Sequence, residues 1–264
     1  WAAEFLILFH AIAKSLLFLC VGTAEHHIGS RDIEDMDLLF ERMPRLARFM
    51  MLGIMAMFIA PFGMLMAKWA TLVSFIDVHQ VALIIILAFG SAATFMFWAK
   101  WLGKLAGIAG HPEDVELTVH KSEWFALLLM AWLLVAACIG LPLISSGIVE
   151  PYVASVYGVL GQDISTDNLW IASICVIVVV AALFAGTGRS KARRVDVYLA
   201  GVNVDNDARA FRDSLSQQTP ATARNWYMED VFGERRIAPV GVAFNGIIIV
   251  AAFVLAFMGT PAIF

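Results

Sequence analysis

Charge is scarce in this chain. Asp, Glu, Lys and Arg make up 15% of its 264 residues, against 61% hydrophobic residues and a mean hydropathy of +0.80. Such a composition excludes a solvated globular enzyme or a nucleic-acid binder and points into a lipid bilayer. Cysteine is scarcer still: Cys20, Cys138 and Cys175 stand singly inside apolar runs. They lack the paired spacing that an iron–sulfur or zinc site needs and read as small packing residues. Other site motifs are incomplete. The glycine-rich stretch from Gly186 to Lys191 lacks the phosphate-loop spacing. Asn203 to Asp207 echoes a calcium loop, but Ala208 stands where that loop requires glycine. His26 and His27 fall at a membrane surface and read as solvated. No cofactor or metal is expected in this chain itself.

What the chain has is long apolar runs, roughly 1–22, 47–76, 80–102, 123–148, 167–187 and 239–262. Each is long enough to cross ~30 Å of hydrocarbon at ~1.5 Å per residue. The expected fold class is all-α, a polytopic transmembrane helix bundle of about six spans. The whole of 1–264 reads as a single membrane domain, with a loop at 188–238 before the last span. Basic residues support the count. Of the eighteen Lys and Arg, four fall between 23 and 48, three between 100 and 122 and nine between 188 and 238. The loops 77–79 and 149–166 carry none. Six spans place the three basic segments on one side, which the positive-inside rule makes the cytoplasmic face of a cell-membrane protein. The run from Arg189 to Arg194 is expected to meet anionic headgroups of the lipid bilayer. The chain opens at Trp1 without an initiator Met or a signal-peptide pattern, so it reads as the C-terminal part of a longer subunit.

Two lysines escape the loop pattern. Lys14 lies inside the first apolar run and Lys68 inside the second. A charge near the bilayer centre costs about 2.5–3.5 kcal/mol on the insertion scale, so each is a candidate functional group. His10 precedes Lys14 by four residues and shares its helical face. Glu25, eleven residues further on, falls on nearly the same stripe. A line of titratable groups suits proton relay; the plainer alternative is a polar cluster that docks neighbouring helices. In the second run Pro61 and Gly63 interrupt the helix about two turns before Lys68. Unwound backbone at membrane depth needs a cover of protein or water, and ion sites are built there. The bland alternative is a simple proline kink. His79 and Asp77 lie at the next short turn, where a proton could leave. Lys100 ends the third run, from which it can snorkel to the surface, and is kept as a further relay candidate.

The ordered motifs 10–19 (HAIAKSLLFL), 29–33 (GSRDI), 42–44 (RMP) and 61–68 (PFGMLMAK) resemble the antiporter-like ion-pumping subunits of respiratory complex I, multisubunit cation/proton antiporters and membrane-bound hydrogenases. The resemblance covers about residues 1–105. It implies that Lys14 is the central relay with His10 beside it, and that Lys68 lies on the path outward. One departure stands out: Trp69 and Ala70 follow Lys68 where many complex I members have Asp-Glu, so any carboxylate partner must come from another helix. Further motifs at 89–94, 97–101, 197–203, 224–229 and 231–234 are similar to the large membrane subunit of Ech-type energy-converting hydrogenase. That likeness implies an ion-translocating, non-redox subunit of an oxidoreductase complex that couples ferredoxin oxidation to export of H+ or Na+. It also implies a [NiFe] centre and iron-sulfur clusters in partner subunits: other membrane subunits and a cytoplasmic hydrogenase module. The competing readings are a subunit of a cation/proton antiporter or of complex I, and a structural anchor that moves no ion.

Overall fold

The computed structural model describes residues 1–36, 39–59, 61–105, 115–158, 164–187, 210–212, 214–220 and 233–257. The chain divides into two units, Trp1–Ala223 and Arg224–Phe264. The first unit opens with α1 (Ala2–Ile28), which runs without a proline and stops where Gly29 turns left-handed at φ 73° and donates its N–H to the Glu25 carbonyl. Glycine carries no Cβ penalty in that conformation. A 3-10 turn (Ile33–Met36) and the short α2 (Leu39–Arg42) lead into α3 (Pro44–Phe58). Pro44 begins α3 because the first helical position needs no N–H. Then come α4 (Gly63–Asp77), α5 (Val81–Leu105), α6 (Lys121–Ile139), α7 (Leu141–Ile144), α8 (Glu150–Tyr157) and α9 (Thr166–Thr187).

This is an all-α polytopic membrane fold. Among the described residues, four apolar helical runs are long enough to cross a bilayer: Ala2–Ile28, Pro44–Asp77, Val81–Leu105 and Lys121–Ile139. They overlap the first four expected spans, although the fourth helix ends at Ile139, short of the expected 148, with α7 and a π-helical turn following. The fifth expected run is occupied by α9, within which Thr166–Ala182 is a shorter apolar helix. Of the segment 188–238, the described residues include an antiparallel ribbon in which β1 (Ala210–Arg212) pairs β2 (Gln218–Pro220). The basic run Arg189–Arg194 and the motifs at 197–203 and 224–229 lie outside the described residues. In the second unit α10 (Glu234–Phe257) covers the expected last span as far as it is described.

α1 is the hub of the first unit. Its buried residues recur every three or four positions, among them Phe5, Phe9, Ile12, Leu16, Cys20 and Ala24, giving one helical face. α3, α4 and α6 pack around it. Small residues make that possible: Ala13 on α1, Ala47 and Gly53 on α3, and Ala67 and Ala70 on α4 are all buried. In lipid the apolar surroundings give no water-exclusion drive, so helix association rests on such close van der Waals packing. At Gly63 the approach is closest, since a Cβ there would collide with the Phe9 ring. Cys20 and Cys138 are buried and Cys175 is exposed, and all three are free thiols.

Candidate functional site

The site begins with the break between α3 and α4. Pro61 has no N–H to continue α3, and α4 restarts at Gly63 with Phe62 buried as its extended first flank. The gap is tightly turned: Ile59 N donates to Met55 O at 2.9 Å and Phe62 N to Ile59 O at 3.1 Å. Two of the backbone groups around the interruption thus keep partners, as membrane depth requires. The restart presents α4 to α1, with Gly63 admitting the Phe9 ring and Ala67 and Ala70 closing the face.

Lys68, next to Ala67 on α4, is half-buried. His10 is exposed on α1, and the charges of both Lys14 and Lys68 reach it. The fold therefore brings His10, Lys14 and Lys68, separated by 58 positions from first to last in the sequence, into one electrostatic neighbourhood. None of the ion pairs among the described residues involves Lys14 or Lys68. Lys14 has a different partner. Its Nζ stands 5.0 Å from the ring centroid of Trp98 on α5, inside the ~6 Å range of a cation–π contact. Trp98 is buried and stacks on Trp101, centroids 5.6 Å apart and planes inclined by 10°.

Other sequence candidates fall elsewhere. Glu25 turns to Arg31, 3.5 Å away, and both side chains are well exposed. His79 is exposed in the turn between α4 and α5, with a left-handed φ of 56° and its N–H on Ile76 O at 3.0 Å. Asp77, at the end of α4, is exposed too. Lys100 does not simply reach for solvent. Lys100 and Lys104 each place Nζ 2.6 Å from one oxygen of Glu34, whose side chain is only 2% exposed. Lys104 is nearly as buried as the acid, whereas Lys100 is 44% exposed. Burial alone would raise the Glu34 carboxyl, but the hydrogen bonds and charges of the two lysines outweigh it and hold it low.

Two further acids fasten helices. Glu116 Oε1 accepts from the backbone N–H groups of Arg45 at 2.6 Å and Leu46 at 3.0 Å, doing for α3 what its N-cap Met43 cannot. Glu123 accepts from Thr23 Oγ1 at 2.9 Å, joining α6 to α1. At the opposite end of α1, Trp1 Nε1 donates to Ser145 Oγ at 2.7 Å, and Ser145 donates to Glu150 at 2.6 Å. Ser145 opens a π-helical turn, Ser145–Val149. Among the described residues no three His, Cys, Asp or Glu side chains group as a metal would require.

Trp98 and Glu34 are the participants that sequence reasoning missed. The signal for the first was present: Trp98, Trp101 and Lys104 recur at three-residue intervals on one face of α5. Glu34 left no such mark, being 66 and 70 residues from its lysines.

Residues 1–94 match the family described as NADH:quinone oxidoreductase/Mrp antiporter, TM. This antiporter-like segment holds His10, Lys14, Lys68 and the helix break. The chain is also 28% identical over 174 residues to a Na(+)/H(+) antiporter subunit from Bacillus subtilis (strain 168). That alignment takes in 60% of this chain and 22% of the relative, so the chain spans under a quarter of the relative's length.

Proposed function

We propose that this chain is the ion-translocating part of an antiporter-like membrane subunit, and that protons pass along His10, Lys14 and Lys68. The observation that carries the reading is that the charges of Lys14 and Lys68 both act on His10, beside a helix break within apolar spans. An imidazole can accept on one nitrogen while donating from the other, so His10 can bridge the lysines. Water fills the gaps between them. Asp77 and His79 stand at the turn where protons would leave, and the basic segments face the cytoplasm of the cell membrane. The Bacillus relative is by name part of a Na+/H+ antiporter, which supports a cation/proton antiporter assembly with other membrane subunits as partners; Na+ is then the alternative or the counter-transported ion. The finer hydrogenase reading, with ferredoxin as donor and a [NiFe] module docked on the cytoplasmic side, rests on the motifs at 89–94, 97–101, 197–203, 224–229 and 231–234. Co-purification of such a module with the native complex would select it.

The test is proton movement into proteoliposomes holding the whole complex, wild type beside Lys14→Ala and Lys68→Ala. Assembly at the wild-type level with proton movement at least tenfold slower, on the order of one RT ln 10 of lost coupling, is the expected result. Equal proton movement in all three would leave the chain as scaffold.

A further inference from the structure

We propose that Trp98 is a positioning residue for Lys14: its ring, in place of a carboxylate, holds the protonated ammonium and sets how tightly Lys14 keeps its proton. The contact is direct, with Lys14 Nζ 5.0 Å from the ring centroid. Trp98 is 3% exposed, so water screens the contact little. The ring is also fixed. Trp101 stacks behind it, and α5 is tied down within the next two turns by Lys100 and Lys104 on Glu34.

A ring and a carboxylate differ as holders of a proton carrier. A carboxylate would pair strongly with the ammonium, but departure of the proton would strand a buried anion, which is costly. The ring's quadrupole favours the ammonium over the amine and is neutral in either state. Lys14 can therefore lose its proton without leaving an uncompensated charge opposite it. The absence of Asp-Glu after Lys68 fits the same avoidance of buried anions.

Other charges around Lys14 are accounted for element by element. On α1 the nearest titratable group along the face is His10, one turn earlier. α4 supplies Lys68, with Asp77 exposed at its end. The charged residues of α3, Arg45 and Arg48, and those of α6, Lys121 and Glu123, all lie within the first five residues of their helices. On α5 itself Lys100 and Lys104 are engaged with Glu34.

The decisive experiment titrates Lys14 itself in the native complex, by NMR of Nζ-labelled lysine, with Lys14→Arg to assign the signal. The ring favours the charged form, so removing it must lower the titration midpoint. Trp98→Leu is expected to bind the proton roughly tenfold more weakly, a fall of about one pH unit, and Trp98→Phe by roughly threefold. An unchanged midpoint, or equal falls in Leu and Phe variants, overturns the proposal. If Trp98→Leu does not assemble, Trp98→Phe decides alone: a lower midpoint supports the ring and an unmoved one rejects it. The consequence for transport rests on the relay reading of Lys14. The alkaline limb of the proton-movement profile should shift downward with the midpoint. A midpoint that falls while that profile stays in place upholds Trp98 as the holder and removes Lys14 from the path.

Discussion

α1 and α5 are similar in length and apolarity and differ in almost everything else. α1 buries a face along its full length, from Ala2 to Ala24. α5 buries Trp98, Lys104 and Leu105, all in its last two turns. The preceding turns leave large apolar groups such as Ile86, Phe89 and Met96 two-thirds or more exposed. α1 is thus held by shape along a whole face, with a hydrogen bond near each end, and α5 by a few strong contacts at one end. Apolarity tells which helices enter the bilayer, whereas polar and aromatic residues at particular positions tell which of them the protein grips.

Three sets of variants put that contrast at risk. The largest effect is expected at Glu34. Glu34→Ala takes a buried carboxylate away from buried Lys104 and should cost more than Lys100→Ala, which removes a half-exposed partner and should cost less than about 1 kcal/mol. Thermal unfolding of the solubilised complex reads both. The same acid gives the unfolding temperature a pH dependence with a definite sign. Its carboxyl is held low in the folded protein, so its contribution is complete above the ordinary carboxylate pKa of about 4.3. It is lost as pH falls through the lowered folded value, and Glu34→Gln should flatten that acid limb; an unaltered limb would assign the pH dependence to other carboxylates.

The next effect tests the shape-held helix. Gly63→Ala pushes a methyl group into the Phe9 ring, which is 1% exposed and cannot swing aside. Overpacking of this kind costs about 1–3 kcal/mol. Phe9→Leu should recover part of the lost melting temperature in the double variant, and additive losses would show that the two residues do not press on each other. The smallest effect belongs to the bare face of α5. Ile86→Ala, at a position 67% exposed, should move stability by no more than about 0.5 kcal/mol. A larger loss in the native complex than in the isolated subunit would reveal a partner seated on that face.

Much of the arrangement is legible in the sequence, and the gaps have physical reasons. The four-residue spacing of His10 and Lys14 fixes them on one face, and Pro61 with Gly63 marks the break that turns α4 toward α1. Both follow from local chain geometry. Pairing across elements does not. Glu34 reads as one acid among several in a polar loop, and nothing local reveals that it is buried between two lysines of α5. Lys100 shows the limit of the snorkelling argument: a lysine at a span end reaches for the nearest favourable charge, which here is a carboxylate. Trp98 escaped because a cation invites a search for anions, and an aromatic ring carries no formal charge. The eleven-residue stripe to Glu25 holds as helix geometry, but the side chain there turns to Arg31.

The helix break also bears on how the chain enters a membrane. α3 and α4 have 15 residues each, about 22 Å apiece at ~1.5 Å per residue, and neither alone crosses ~30 Å of hydrocarbon. Read together, Pro44–Asp77 is one apolar run of 34 residues. A translocon that partitions nascent segments by apolar length would release the two halves as a single span. α1 precedes that span in the chain and is already present when it emerges, so the kink can be covered as soon as the two helices meet.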